Sequence, residues 1–255
     1  MKNDIKSPIL QNLISYPWYN EGQYQERVKE LQSLGVEEII LNGPTTIFNL
    51  NVLGKGHSGI VVKVNTNKGK NLALKIRRLD SRRKNLNNEA KFMVIANSLN
   101  IGPKLIDSKK NCILMEFIEG QKISTWLEYH AYMKTPGNKE TTKKALNNLM
   151  EQCYLLDRLY LDHGELTRID NHVIVSDNRV SILDFESSSV NRKTANVTSI
   201  IQSLFFSGII SKRVKDIMDF SNSSSNLLRI LRKYKNEQNK VNFERIVSSI
   251  WDHGS

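Results

Sequence analysis

The chain has two cysteines, Cys112 and Cys153, in 255 residues. They lack metal-ligand spacing and come with no secretory context, so buried free thiols are expected and no structural metal is implied. Long apolar runs are also missing. The stretch from Ile200 to Ile210 leans apolar, but Gln202, Ser203, Ser207 and Gly208 interrupt it, and it falls far short of the ~20 residues a membrane span needs. The opening Met-Lys-Asn-Asp-Ile-Lys-Ser-Pro has no apolar signal core, which predicts a soluble cytoplasmic protein with no membrane partner. No internal repeat and no long disordered linker is visible. Acidic side chains are in deficit, 26 against 37 Lys plus Arg, for a net charge of +11. That balance makes polyanions such as RNA or an acidic protein plausible partners. Two clusters carry much of it, Arg77, Arg78, Arg82, Arg83 and Lys84, then Arg229, Arg232, Lys233, Lys235 and Lys240. Solvated faces are the commoner explanation for such clusters.

The hydrophobic content of 39% is enough for a packed core. Residues 52–75 are the most informative stretch. Gly54, Gly56 and Gly59 fit G-x-G-x-x-G, a pattern shared with dinucleotide-binding turns. There the third glycine opens a helix; here Ile60, Val61, Val62 and Val64 continue as β-branched strand, and Lys75 lies in a second apolar strand with Ala73. This predicts a hairpin folded over phosphates, with glycines keeping Cβ atoms away from the N–H groups, a turn of unusual φ/ψ, and Lys75 as the point charge. His57, at the loop tip, is expected to be an ordinary polar tip residue.

Residues 1–47 read as a helical N-terminal extension, with a helix from Glu21 to Leu34 ending at Gly35. Residues 48–119 read as a small sheet with one helix near Leu86–Leu99. Residues 120–255 read as mainly helical, with an aromatic segment at 123–133 and a helix over 140–161 that places Leu146, Leu149, Cys153, Leu156 and Tyr160 on one face. Trp126, Tyr129 and Tyr132 recur near helical spacing and are expected in the core or against the other lobe. Two short strands, Val173–Val175 and Val180–Leu183, precede further helices broken by a serine-rich loop at Ser221–Asn226.

The chemistry concentrates in two places. Glu89, fourteen residues after Lys75 on the expected helix, can hold the flexible lysine stem. Later comes His163-Gly164-Glu165, with Asp170 and Asn171 five and six residues beyond Glu165, and then Asp184-Phe185-Glu186 after an apolar strand. A carboxylate to orient an acceptor hydroxyl, followed by oxygen ligands for a hard cation, is the order phosphoryl transfer requires. His163 and His172 suggest a zinc pair only weakly; His163 is better read as a packed loop anchor. Ser187, Ser188, Ser189 and Thr194 are candidate autophosphorylation acceptors within what reads as a short solvated loop.

In this order the motifs resemble the protein-kinase-like fold, an α+β architecture with a small β-rich N-lobe and a reduced helical C-lobe. More narrowly, they resemble the small archaeal predicted serine/threonine kinases related to the RIO type and to the kinase of the KEOPS complex. The resemblance spans roughly residues 48–210 and implies an ATP- and Mg²⁺-dependent protein serine/threonine kinase, with Mn²⁺ a possible substitute. It implies that Gly54, Gly56 and Gly59 cover the phosphates, that Val61, Ala73 and Met115 line the nucleotide, and that Lys75, held by Glu89, contacts phosphate. It further implies that the backbone of Glu116 to Ile118 holds adenine, that Asp184 binds metal with Asp170 or Asn171, and that Glu165 orients the acceptor hydroxyl.

Departures from the pattern are equally specific. Glu165 stands in place of aspartate, Glu186 in place of glycine, and Gly164 in place of the arginine that in many kinases reads a phosphorylated loop, so control of that kind is not expected. Only 71 residues follow Asp184 (255 minus 184), and Ala-Pro-Glu does not occur among them. Substrate recognition therefore falls to another surface, and a small-molecule kinase of the aminoglycoside or choline type finds little room for its helical insertion. Glu165 and Glu186 also motivate the alternative of a pseudokinase or nucleotide-binding scaffold that engages RNA or an acidic partner.

Overall fold

A computed structural model of the chain describes residues 2–67, 69–133, 135–176, 179–218 and 224–251. The protein is α+β with antiparallel sheets and divides into two compact units, residues 1–118 and 119–255.

The first unit runs β1 (Lys2–Asp4), α1 (Gln11–Ile14), α2 (Glu21–Ser33), β2 (Val36–Ile40), β3 (Thr45–Ile47), β4 (Leu50–Val52), β5 (Gly54–Lys55), β6 (Gly59–Thr66), β7 (Gly69–Arg77), α3 (Asn87–Asn97), β8 (Leu105–Ser108) and β9 (Cys112–Glu116). Among the described residues its main sheet has the order β1-β2-β6-β7-β9-β8, with β5 folded back on β6. Strand alternation sorts the side chains. Ile60, Val62 and Val64 of β6, Leu74 and Ile76 of β7, and Cys112 and Leu114 of β9 point to one face and join a single core with Leu13, Tyr24, Val28 and Leu31 from the N-terminal helices. Val61, Ala73, Lys75 and Met115 share the opposite face, through the pairings Val61↔Lys75 and Ala73↔Met115.

Residues 1–47 differ from the helical extension expected of them. β1 and β2 extend the main sheet, and α1 and α2 add Leu13, Ile14, Tyr24, Val28 and Leu31 to its core. The physical reason is the face just described, a row of β-branched side chains that needs an apolar cover. α2 itself follows its signals. Asn20 caps its first turn by accepting from Gln23 N at 2.9 Å, and Gly35 ends it at φ +74°. Arg27, fully buried, donates to the Ile14 carbonyl at 2.7 Å and ties α2 to α1.

The second unit runs β10 (Gln121–Lys122), α4 (Ile123–Met133), α5 (Pro136–Arg158), β11 (Val173–Ser176), β12 (Arg179–Ile182), α6 (Asn196–Ile201), α7 (Gly208–Met218), α8 (Ser224–Asn236) and α9 (Lys240–Trp251), with 3-10 turns at Leu166–Asn171 and Phe185–Ser187. Thr135 caps α5 and Pro136 sits at its first position. Leu146, Leu149, Cys153 and Leu156 are buried as the spacing requires. Tyr160 is not: α5 ends at Arg158, and Tyr160 takes φ +55° with its ring 75% exposed. Likewise Trp126 is buried, but Tyr129 and Tyr132 are exposed. Steps of three drift around a helix of 3.6 residues per turn, so Tyr129 and especially Tyr132 rotate off the buried stripe. Both cysteines are free and buried, as expected. Residues 221–223 of the serine-rich loop lie outside the described residues, and 224–226 open α8.

Asp157 stitches this unit together. It is buried, which pushes its carboxyl above the ordinary value. It accepts from Asn196 N at 3.0 Å and Nδ2 at 2.8 Å, from Val197 N at 3.2 Å and from the Tyr234 hydroxyl at 2.9 Å, joining α5, α6 and α8. Among the described residues no helix is long and apolar enough to cross a membrane.

Candidate functional site

In the first unit, β5 and β6 form the expected glycine hairpin, closed by Gly56 N donating to the Gly59 carbonyl at 2.8 Å. The three glycines have different reasons to be there. None takes a left-handed φ, so the unusual backbone expected of the turn is not what selects them. A Cβ on Gly59 would lie 2.8 Å from the Ile76 carbonyl oxygen and 3.0 Å from Lys75 Cγ; on Gly56 it would meet only the Gly59 carbonyl, at 3.7 Å, and on Gly54 nothing within 4 Å. Gly59 is thus required by the close passage of the Lys75 strand. His57 is exposed at the tip.

Lys75 Nζ pairs with Glu89 Oε1 at 2.8 Å, and the two side chains are only 6% and 5% exposed. β7 places the lysine on the face opposite the helical core, and α3 brings Glu89 to it. In so dry a setting the carboxylate fixes the position of an ammonium that would otherwise wander on four rotatable carbons. Val61, Ala73 and Met115 lie on this same face. Glu116 is committed elsewhere: its N–H donates to the Lys104 carbonyl at 2.9 Å and its Oε2 accepts from Lys104 N at 3.0 Å. Ile118 follows β9 and is half-buried.

Arg78 is a residue the motif reading missed. Its Nη1 donates to the Gly56 carbonyl at 3.0 Å, its N–H donates to the Ser58 carbonyl at 2.7 Å, and Asp80 pairs with its guanidinium. It braces the hairpin from the outside. Arg77 is buried and donates to Asn111 Oδ1 at 2.8 Å and to the Arg83 carbonyl at 3.2 Å. The first basic cluster is therefore partly internal structure. In the second, Arg229, Arg232, Lys233, Lys235 and Lys240 are exposed.

In the second unit His163, His172 and Ser187 gather around Glu165, which opens the 3-10 turn Leu166–Asn171. Its Oε2 pairs with the buried His172 Nε2 at 2.9 Å, and its Oε1 accepts from the Ser187 hydroxyl at 2.8 Å. His163 is wholly buried and lies ring-to-ring with His172 at 5.2 Å and with Phe185 at 5.3 Å. Its Nε2 donates to the Leu183 carbonyl at 3.0 Å, and its backbone N–H donates to Asn196 Oδ1 at 2.8 Å. Burial lowers its pKa to about 4, so it is a neutral anchor. Neither His172 contact to Glu165 nor Ser187 contact to it was foreseen, because they close across seven and twenty-two residues.

Asp184 follows β12 and takes a left-handed backbone, φ +64°, a conformation that non-glycine residues hold only where the surroundings enforce it. Its carboxylate and that of Glu186 come within 4.8 Å of one another. Two such oxygens suit a hard divalent cation. Of the remaining candidates, Asp170 Oδ1 accepts from Ser124 N at 3.2 Å at the start of α4, and Asn171 is exposed at the end of its turn. Asp170 thus already serves a helix terminus. Gly164, at φ +87°, has no room for a side chain, since the Arg192 guanidinium fills that space. Arg192 pairs with Asp162 and donates to the Ser187 carbonyl at 2.7 Å. The serines after Asp184 are not the open loop expected: Ser188 and Thr194 are buried, and Thr194 Oγ1 donates to Gln238 Oε1 at 2.8 Å.

No family model matches the chain. Over 122 residues, 48% of this chain, it is 24% identical to an uncharacterized protein of Methanocaldococcus jannaschii, and the match covers 98% of that protein.

Proposed function

We propose that the chain is an atypical ATP-dependent serine/threonine protein kinase of two-lobed, protein-kinase-like architecture. The observation that carries this reading is the dry Lys75–Glu89 pair beside a glycine hairpin, at 2.8 Å. A lysine so placed is costly to bury, and a phosphate-binding role accounts for the cost. Val61, Ala73 and Met115, on the same face as Lys75, form an apolar floor for adenine. Because Glu116 donates its N–H to Lys104, the N–H offered to the adenine edge falls to Phe117 or Ile118 within the Glu116–Ile118 backbone.

Asp184 and Glu186 fit Mg²⁺ through their neighbouring carboxylates. When bound, the cation neutralises charge on the nucleotide phosphates. Glu165 orients the acceptor hydroxyl. It is one methylene longer than the aspartate of the resembled pattern, and the His172 contact at 2.9 Å fixes the extra length in one orientation. The chemistry asked of the protein is thus positioning and electrostatics.

The test is transfer of label from γ-labelled ATP to the chain or to a generic protein acceptor. Transfer lost in Lys75→Ala and in Asp184→Ala supports the reading; transfer that survives both variants overturns it. A second reading, a nucleotide-binding scaffold, is favoured by one observation: both Glu165 oxygens are already engaged, by His172 and Ser187. ATP-induced thermal stabilisation without any transfer would select it. The exposed Arg229, Arg232, Lys233 and Lys235 of α8 would then be the surface for RNA or an acidic partner. RNA bound there would be lost steeply with added salt.

A further inference from the structure

We propose that Ser187 is a phosphate acceptor of this chain itself, modified within the molecule, and that its modification frees Glu165 for an external hydroxyl. The inference rests on the phosphotransferase reading above and assigns that site its first substrate. Its basis is one contact. The carboxylate given the task of orienting an acceptor hydroxyl already holds a hydroxyl, that of Ser187, at 2.8 Å. The other oxygen is fixed by His172 at 2.9 Å, so Oε1 is the one left to face an acceptor, and Ser187 occupies it.

The neighbouring hydroxyls do not compete for this place. Ser188 is buried, Ser189 Oγ accepts from Asn191 N at 3.1 Å while its backbone pairs with Asp162, and Thr194 is buried against Gln238. Ser187 is half-buried, at the end of the short turn that follows Asp184.

The step balances with ATP as co-reactant. A bond forms between Ser187 Oγ and the γ-phosphorus, and the bond from that phosphorus to the β–γ bridging oxygen breaks. ADP leaves with the electron pair, and the hydroxyl proton passes to Glu165 Oε1 and then to solvent. The product cannot keep the old contact. A phosphoserine carries about −1.5 to −2 charge and is repelled by the Glu165 carboxylate. Arg192, whose Nη2 donates to the Ser187 carbonyl at 2.7 Å, offers a guanidinium of opposite charge beside the same residue. The phosphate moves toward Arg192, and Glu165 Oε1 is uncovered. Gly164 leaves open the space in which that guanidinium sits.

The experiment uses the full chain, freed of phosphate by a phosphatase, incubated with Mg²⁺ and ATP, and mapped by mass spectrometry over time and across serial dilution. Expected are phosphate on Ser187 with a half-time that does not change on dilution, and a lag in transfer to a generic protein acceptor that matches this half-time. The Ser187→Ala variant is expected to remain unphosphorylated at that turn and to show no lag. Label on the acceptor or elsewhere on the chain with Ser187 bare would overturn this inference and leave the kinase reading standing. A half-time that lengthens in proportion to dilution would overturn the intramolecular step. No label on any protein would sink both.

Discussion

The three glycines of the hairpin look alike in sequence, yet the structure ranks them. Alanine at 59 places its Cβ 2.8 Å from the Ile76 carbonyl oxygen and 3.0 and 3.2 Å from Lys75 Cγ and Cε. The first of these is backbone in a paired strand and cannot rotate away, so β6 and β7 must part locally. Overpacking of that kind costs about 1–3 kcal/mol. Against it stands about 0.4–1 kcal/mol gained because alanine has fewer unfolded conformations than glycine. The net expectation is a loss of about 1–2 kcal/mol. With a urea slope of about 2 kcal/mol/M, the unfolding midpoint of Gly59→Ala falls by about 0.5–1 M. Alanine at 54 meets nothing within 4 Å and needs no left-handed backbone. Its midpoint stays level or rises slightly. Urea unfolding followed by circular dichroism measures both variants side by side. Equal destabilisation by the two, or a neutral Gly59→Ala, would refute the close-approach argument. Thermal shifts with ATP then add a functional contrast: Gly54→Ala, stable on its own, should lose ATP-induced stabilisation, since its Cβ would stand between the hairpin N–H groups and the phosphates.

Three further outcomes are expected. Lys75→Met should cost about 3–5 kcal/mol by depriving the buried Glu89 carboxylate of this ammonium, and adding Glu89→Leu should recover part of the loss; a double variant as unstable as the two single losses summed would argue against a coupled pair. His163, held neutral with a pKa near 4 against an ordinary 6.5, binds fewer protons folded than unfolded between those values, so the stability it lends is complete above pH 6.5 and is lost as pH falls toward 4, by about 3 kcal/mol. Unfolding free energies at pH 7 and 4.5 should therefore drop less in His163→Gln than in the parent, and parallel drops would contradict the assignment. Tyr234→Phe removes a donor from the buried Asp157 carboxylate and should lower stability by about 1.5–3 kcal/mol in a urea melt, a neutral result showing that Asn196 and Val197 suffice.

Where a residue's role is set by its near neighbours, the sequence revealed it. The β-branched run from Ile60 to Val64 announced a strand, and the apolar spacing over 140–161 announced α5 to within a few residues. The candidate phosphate-binding pair was equally visible, because Lys75 and Glu89 stand on a strand and a helix whose periodicities are clear. What covers a face is a different matter. Nothing local in Val36-Glu37-Glu38-Ile39-Ile40 says that it will pair with β6, and the charged pair in its middle disguises a strand whose Ile39 is wholly buried. Arg77 and Arg78 read as surface charge until Asn111, Asp80 and Gly56 are brought to them. The same applies to Glu165: its two partners come from a turn and a loop, and only the tertiary path from β12 to Ser187 brings the hydroxyl to the carboxylate.

The most direct test of the central claim is a single time course of phosphate transfer from γ-labelled ATP, with Mg²⁺, in the unmodified chain and in Lys75→Ala and Asp184→Ala. The account predicts label incorporated by the unmodified chain and by neither variant. Label incorporated equally by all three, or neither label nor ATP-induced stabilisation in the unmodified chain, would contradict it.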